Sequence, residues 1–237
     1  MVVNHPVVAI IQARMSSTRL PCKVMLDLCG KILLERVINC TLSARMIDGV
    51  WLATSNGRPD DIIEHFAINH GIRVHRGSPE DVLDRYCGAT KESRAQIVVR
   101  VTADNPCTEP RFIDLGVEKL VSDRLDYLTF TNIPVGSGVE VFTRDAIFRA
   151  ADMANDPYDR EHVCPYFRKN VGEFKVLRYD NPIATTRRPD VNVTIDTFDD
   201  YVNLCKIFEN FSGHDNLPLE EIIRYLDEAV DLNSDLP

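Results

Sequence analysis

Uninterrupted apolar runs alternate with amphipathic stretches through the first half of the chain. Val7-Val8-Ala9-Ile10-Ile11 has no polar position and predicts a strand covered on both faces. Ile32–Ala44 follows with Ile32, Leu33, Val37, Ile38 and Leu42 at helical spacing. Val50–Ala53 predicts a second strand. Pro59 opens a helix through His70, and Gly71 closes it in the left-handed conformation. Ile72–His75 is a short third strand. Ser78-Pro79-Glu80-Asp81 reads as a helix start, with Ser78 as N-cap and Pro79 in the first turn. Gln96–Val101 is a fourth strand, apolar through Ile97-Val98-Val99, and Pro110–Val121 is a further helix. This alternation predicts right-handed crossovers and an α/β fold, a mostly parallel central sheet with helices on both faces.

The second half is less regular. Tyr127–Thr131 and Val139–Phe142 read as strands, and Thr143 caps a helix through Ala154. Pro157–Asn170 reads as one helix, Phe174–Tyr179 as a strand, and Val191–Ile195 as a final strand. Helices follow near Phe198–Asn210 and Leu217–Ala229, and Asp231–Pro237 reads as a frayed tail. The Pro-, Thr- and Arg-rich stretch Asn181–Asp190 reads as a loop. Without repeat, low-complexity tract or flexible linker, residues 1–237 read as a single domain.

Composition narrows the partners. The formal net charge is −9 over 237 residues, which argues against a nucleic-acid groove. The seven cysteines (22, 29, 40, 87, 107, 164 and 205) show no C-x-x-C spacing, so thiols in a reducing cytoplasm are expected rather than disulfides or zinc. The N-terminus lacks the pattern of a signal peptide, and no apolar stretch approaches the ~20 residues that span a bilayer.

Against that acidic background, one cluster stands out. Gln12-Ala13-Arg14-Met15-Ser16-Ser17-Thr18-Arg19-Leu20-Pro21-Cys22-Lys23 brings three cations within ten residues, just past the first strand. Ligands of open α/β sheets bind beyond the carboxyl ends of the strands. Three positive charges there call for an anion, most simply a triphosphate; the plain alternative is a solvated basic turn. Asp104 follows the fourth strand and Asp196 the last. A magnesium ion carried by a triphosphate takes one or two protein carboxylates, so these two aspartates suit a Mg²⁺–nucleotide complex. Equally, Asp104 before Asn105-Pro106 could start a turn, and Asp196 or Thr197 could cap the next helix.

Six motifs in order resemble the cytidylyltransferases that make CMP-activated acidic sugars, which include the 3-deoxy-manno-octulosonate and N-acylneuraminate enzymes. The match is nearer to the spore coat polysaccharide biosynthesis protein F branch. The motifs are the loop Ala13–Lys23 with Ile11-Gln12 before it, Arg76–Tyr86, Arg100–Asp104, Val139–Phe142, Arg160–Tyr166 and Thr194–Thr197. The resemblance implies a nucleotidyltransferase sandwich of the glycosyltransferase-A-like kind. It implies transfer of CMP from CTP to an acidic acceptor: a sugar acid, a sugar phosphate or a hydroxylated phosphonate. Arg14, Lys23 and Asp104 would serve catalysis, and Asp104 and Asp196 would hold Mg²⁺. The nucleotide would contact Gln12, Ala13, Arg14, Arg19, Lys23, Thr54, Arg76, Ser78 and Thr102. The acceptor would contact Glu140, Arg160, Glu161 and His162. An excursion at about residues 132–190 would bind the acceptor or form a homodimer.

The chain also departs from the family. Cys22 stands where glycine is frequent, Ser16-Ser17 replaces a frequent Gly-Ser, and Ile133–Gly138 differs from the usual run beside the acceptor. Two other readings stay open. One is a nucleotide-sugar glycosyltransferase, although Asp104 is followed by Asn105-Pro106 rather than completing an Asp-x-Asp pair. The other is a non-catalytic nucleotide-binding subunit.

Overall fold

A computed structural model describes residues 6–211, 214 and 216–234. Seven strands form one sheet: β1 (Val7–Gln12), β2 (Gly49–Ser55), β3 (Arg73–Gly77), β4 (Ile97–Thr102), β5 (Tyr127–Thr131), β6 (Glu140–Thr143) and β7 (Val176–Asp180), in the order β3-β2-β1-β4-β6-β5-β7. The first four strands are parallel, with β1 central between β2 and β4. β6 runs antiparallel to both β4 and β5, and β5 pairs parallel with β7.

Alternation along β1 assigns the two layers, because successive side chains leave opposite faces of a strand. Val7, Ala9 and Ile11 pack into one core with α1 (Leu33–Leu42), α2 (Asp61–Asn69), α4 (Pro110–Asp123), α8 (Phe198–Asn210) and α9 (Leu219–Ser234). Val8 and Ile10 pack into the other with α3 (Val82–Ser93), α5 (Arg144–Met153), α7 (Pro165–Lys169) and the joint Val163-Cys164 that follows α6 (Pro157–His162). Helices therefore cover both faces, as expected. A strand buried on both sides has no solvent face to mark with polar residues, and each fully buried Ile or Leu contributes about 2 kcal/mol of burial.

Three local expectations are corrected. Ser78 does not cap α3. The hydroxyl of Ser78 accepts from the Glu80 and Asp81 amides in a turn, and Asp81 is the N-cap, accepting from Asp84 N at 2.9 Å. Pro157–Asn170 is two short helices. Between them Val163 has φ 65° and ψ −64°, and Cys164 N donates to His162 O at 2.7 Å. This is a γ-turn of the strained kind, on a β-branched residue whose side chain is fully buried. Val191–Ile195 joins no sheet: it bonds instead to the Val135 backbone and to the Asp104 carbonyl.

Elsewhere the expected elements hold. Gly71 has φ +73° after α2, and Thr143 caps α5 by accepting from Ala146 N. Of the expected tail, 231–234 lie in α9 and 235–237 lie outside the described residues. Among the described residues no two cysteines form a disulfide, and no helix is long and apolar enough to cross a membrane.

Candidate active site

The cationic loop is held open by its backbone. Ala13 N donates to Ala53 O, extending the β1–β2 pairing by one bond. The carbonyl of Met15 then accepts from both Ser17 N and Cys22 N, at 2.9 and 3.0 Å, which folds residues 16–22 back on themselves. Asp60, buried at the start of α2, accepts from Met15 N at 2.7 Å and from the Ser55 amide and hydroxyl. One carboxylate thus ties the loop to the end of β2. Cys22 closes the fold-back at φ 60°, a conformation that glycine adopts at no steric cost.

Lys23 is turned inward by that fold-back. Its ammonium donates to Asp104 Oδ2 at 2.8 Å, Asp196 Oδ1 at 2.9 Å and the Ile195 carbonyl at 2.6 Å. Three segments distant in sequence therefore meet on one nitrogen. Thr194 and Ile195 are locked to Asp104 in turn, since Ile195 N donates to Asp104 O at 2.9 Å. The extended chain that forms no strand acts here as a shelf that carries Asp196 to the rim. Arg19 pairs with Asp196 at 2.8 Å, and Arg14 pairs with Glu161 of α6 at 2.9 Å, spanning the opening.

These residues line a cavity of about 440 Å³ at the carboxyl ends of β1 and β4. Among the described residues its wall carries five cations, Arg14, Arg19, Lys23, Arg85 and Arg100, against the three carboxylates of Asp104, Glu161 and Asp196. A surplus of positive charge in a protein of net charge −9 is a focused site for a polyanion. A second cavity of about 520 Å³ adjoins it and shares the wall formed by Arg100, Thr102, Asn105, Val135, Gly136 and His162. Gly136, at φ +91°, lies so close to the backbone of Thr194 that a Cβ there would meet its nitrogen at 2.7 Å. The segment 133–138 is thereby seated on the shelf and forms the partition between the two cavities.

Gln12, Ala13, Arg14, Arg19, Lys23, Thr102, Asp104, Glu161, His162 and Asp196 all line the first cavity, and Glu140 lines the second. Four other expected residues lie apart from both. Arg76 is spent on Asp61, Glu64 and the carbonyls of Ser55 and Gly57, joining β3 to the start of α2. Ser78 serves the turn before α3, and Thr54 is fully buried with its hydroxyl unpartnered. Arg160 donates to Asp81 at 2.6 Å and to the Ala151 and Ala154 carbonyls, pinning α6 to the start of α3.

Reasoning from the sequence missed Arg85, Arg100, Asn105 and Thr194 among the cavity residues, and Asp60 behind them. Arg85 is 1% exposed, donates to the Ser78 carbonyl, and has its Nε buried without an acceptor. Burial pulls its pKa below that of an ordinary guanidinium. Arg100 is set against Glu140: burial works against its charge, and the adjacent carboxylate outweighs this and raises its pKa. An arginine inside an otherwise apolar strand was the available signal, because burying a charge is costly unless it is paired.

Among the described residues no group of three or more His, Cys, Asp and Glu could hold a metal ion by itself. Asp104 and Asp196 facing one another across a single ammonium are a pair of hard oxygen donors. That pair fits a magnesium ion whose remaining ligands are waters and phosphate oxygens, and does not fit an all-protein cage.

Comparison with known proteins bears on the family and the fold. A family model described as cytidylyltransferase matches residues 8–234. An uncharacterised protein of Methanocaldococcus jannaschii is 37% identical over 225 residues, covering 94% of this chain and 90% of the relative. The spore coat polysaccharide biosynthesis protein SpsF of Bacillus subtilis is 32% identical over 233 residues, covering 96% of each. Among solved structures, a cytidylyltransferase of Leptospira borgpetersenii serovar Hardjo-bovis superposes with a TM-score of 0.89 at 28% identity, over 98% of both chains.

Proposed function

The chain belongs to the cytidylyltransferase family and is a nucleotidyltransferase, and on that premise we propose that it transfers CMP from CTP to an acidic, hydroxyl-bearing acceptor. Family membership removes the glycosyltransferase reading. The observation that carries the proposal is the convergence of Lys23, Asp104 and Asp196 in a cavity with a cation surplus, open to a second cavity for the acceptor.

In this reading the triphosphate lies along the loop, held by Arg14, Arg19 and Lys23. Arginine suits this task because its planar fork meets two phosphate oxygens at once. The acceptor hydroxyl enters from the second cavity past the partition at Gly136. Its oxygen forms a bond to the α-phosphorus and gives up its proton to solvent, while the bond from that phosphorus to the β-phosphate oxygen breaks and pyrophosphate leaves. Transfers of this kind draw on positioning and charge stabilisation rather than on covalent chemistry by the protein. Lys23 stabilises the charge that grows on the departing pyrophosphate. Asp104 and Asp196 would hold Mg²⁺, which when bound supplies charge neutralisation at the phosphates. The Arg14–Glu161 pair spans the opening and is exposed enough to part at little cost as the nucleotide enters.

Pyrophosphate release from CTP and Mg²⁺, with a panel of hydroxylated carboxylates, sugar phosphates and phosphonates, tests the reading. Release that depends on CTP and on an acidic acceptor is expected. Tight CTP binding without release for any acceptor would support the non-catalytic alternative. The same reading carries a cytoplasmic homodimer as its expected state, which sedimentation would check.

A further inference from the structure

The second cavity holds a charge imbalance that its own contacts do not consume. Its floor is a transverse row of the sheet: Arg100 on β4, Glu140 on β6 and Thr129 on β5 are register partners, so their side chains leave the same face. Arg168 of α7 reaches in above them. Both oxygens of Glu140 are engaged. Its Oε2 accepts from Arg100 Nη1 at 2.6 Å, and its Oε1 accepts from Arg168 Nη1 at 3.0 Å and from the Tyr127 hydroxyl. These bonds commit the carboxylate first to its arginines and its tyrosine.

The guanidiniums are in the opposite condition. Arg100 has its Nε buried with no acceptor, and it stands in the wall shared with the nucleotide cavity. Arg168 is 42% exposed at its side chain and lines the cavity. Two fixed cations face one carboxylate, with His162 beside them as the neighbouring titratable ring. Burial tends to raise the Glu140 pKa, but Arg100 outweighs it and keeps the carboxyl below its ordinary range, so the row stays charged. One positive charge is left over.

We propose that Arg100 and Arg168, held side by side by Glu140, form a receptor for one oxyanionic group of the acceptor, with Arg168 its specificity-determining residue and Glu140 a positioning residue. The proposal rests on the transfer reading for its occupant and goes beyond it in assigning the residues and the charge. It also explains the half-buried setting of Arg168: an incoming carboxylate or phosphonate replaces water on a guanidinium already ordered by its partner, which lowers the entropic cost of binding.

The test is calorimetry with small probes on the whole chain, saturated with CTP. Methylphosphonate and acetate supply the oxyanion, and acetamide is the neutral control. Both anions are expected to bind and acetamide not to. Arg168→Gln should weaken both anions at least about tenfold, Arg168→Lys should restore part of that, and CTP affinity should be unchanged in each. Glu140→Gln should weaken the anions, and Glu140→Asp should recover them in part. Both variants are expected to lose stability, so anion affinity is the deciding readout: a purely structural role for Glu140 would leave it unaltered. Equal anion affinity in wild type and Arg168→Gln, or acetamide binding as well as acetate, overturns the proposal. Absence of CTP binding with anion selectivity intact would sink the transfer reading and leave the receptor standing.

Discussion

The two cavities sit on one sheet and are built in different ways. The first is made where parallel strands end. β1 and β4 release Arg14, Lys23 and Asp104 into loops directly beyond their carboxyl ends. The second is made in the middle of strands, where antiparallel β6 brings Glu140 opposite Arg100. Strand-end loops are free to carry any side chain toward a ligand. A mid-strand position is fixed by register, so its charge must find its partner inside the sheet. The first site therefore sets its cations on loop-borne pairs, and the second, among the described residues, engages its one lining carboxylate with two arginines.

Substitutions sharpen that contrast, and the largest effect belongs to the nucleotide side. Asp104→Asn should leave the fold intact and lower the rate of pyrophosphate release by about 10² or more, the effect of losing one electrostatic contact worth about 3 kcal/mol. Lys23→Ala should do the same and weaken CTP binding as well. A variant at either position with wild-type turnover would break the assignment.

On the acceptor side the expected effect is on stability. Glu140→Gln leaves two arginines facing an amide, which should cost about 3 kcal/mol in urea unfolding at neutral pH. The Glu140 carboxyl is held below its ordinary range in the folded protein. Its contribution is thus complete above the unfolded value and fades as pH falls through the folded one. The gap between wild type and Glu140→Gln should narrow below about pH 4. A constant gap from neutral to acid pH would contradict this.

Asp60→Ala probes what lies behind the loop. It removes three accepted hydrogen bonds from a buried carboxylate and leaves the amides of Met15 and Ser55 unpaired. A loss of about 2 kcal/mol is expected, along with faster proteolysis of residues 14–22. Smallest of all, Glu161→Gln breaks an exposed pair and should change stability by less than about 1 kcal/mol. A larger loss would mean the strap across the nucleotide opening is part of the fold.

The same contrast decides what could be read without coordinates. The parallel half was legible because a doubly covered strand must be apolar throughout, as Val7–Ile11 and Ile97–Val99 are. That Lys23 and Asp104 share one rim was legible because loops after parallel strands gather at the carboxyl edge of the sheet, whereas Asp196 arrives there on a segment that is no strand. Val191–Ile195 misled for a physical reason. Its alternation, with Val191, Val193 and Ile195 buried, shows that one face is covered, and says nothing of a neighbouring strand. The break at Val163 was hidden because a strained turn on valine is sustained by tertiary packing, with no local signature. Arg76 and Arg160 looked like ligand contacts because a cation inside a motif resembles one until its carboxylate partners are seen. The Arg100–Glu140–Arg168 row needed a register between β4 and β6 that no local pattern specifies.

A crystal structure with CTP and Mg²⁺ tests the central assignment most directly. The account predicts the triphosphate between Arg14, Arg19 and Lys23, with the metal on the side chains of Asp104 and Asp196. Phosphates bound elsewhere, with the Lys23 ammonium still clasped by both aspartates, would contradict it.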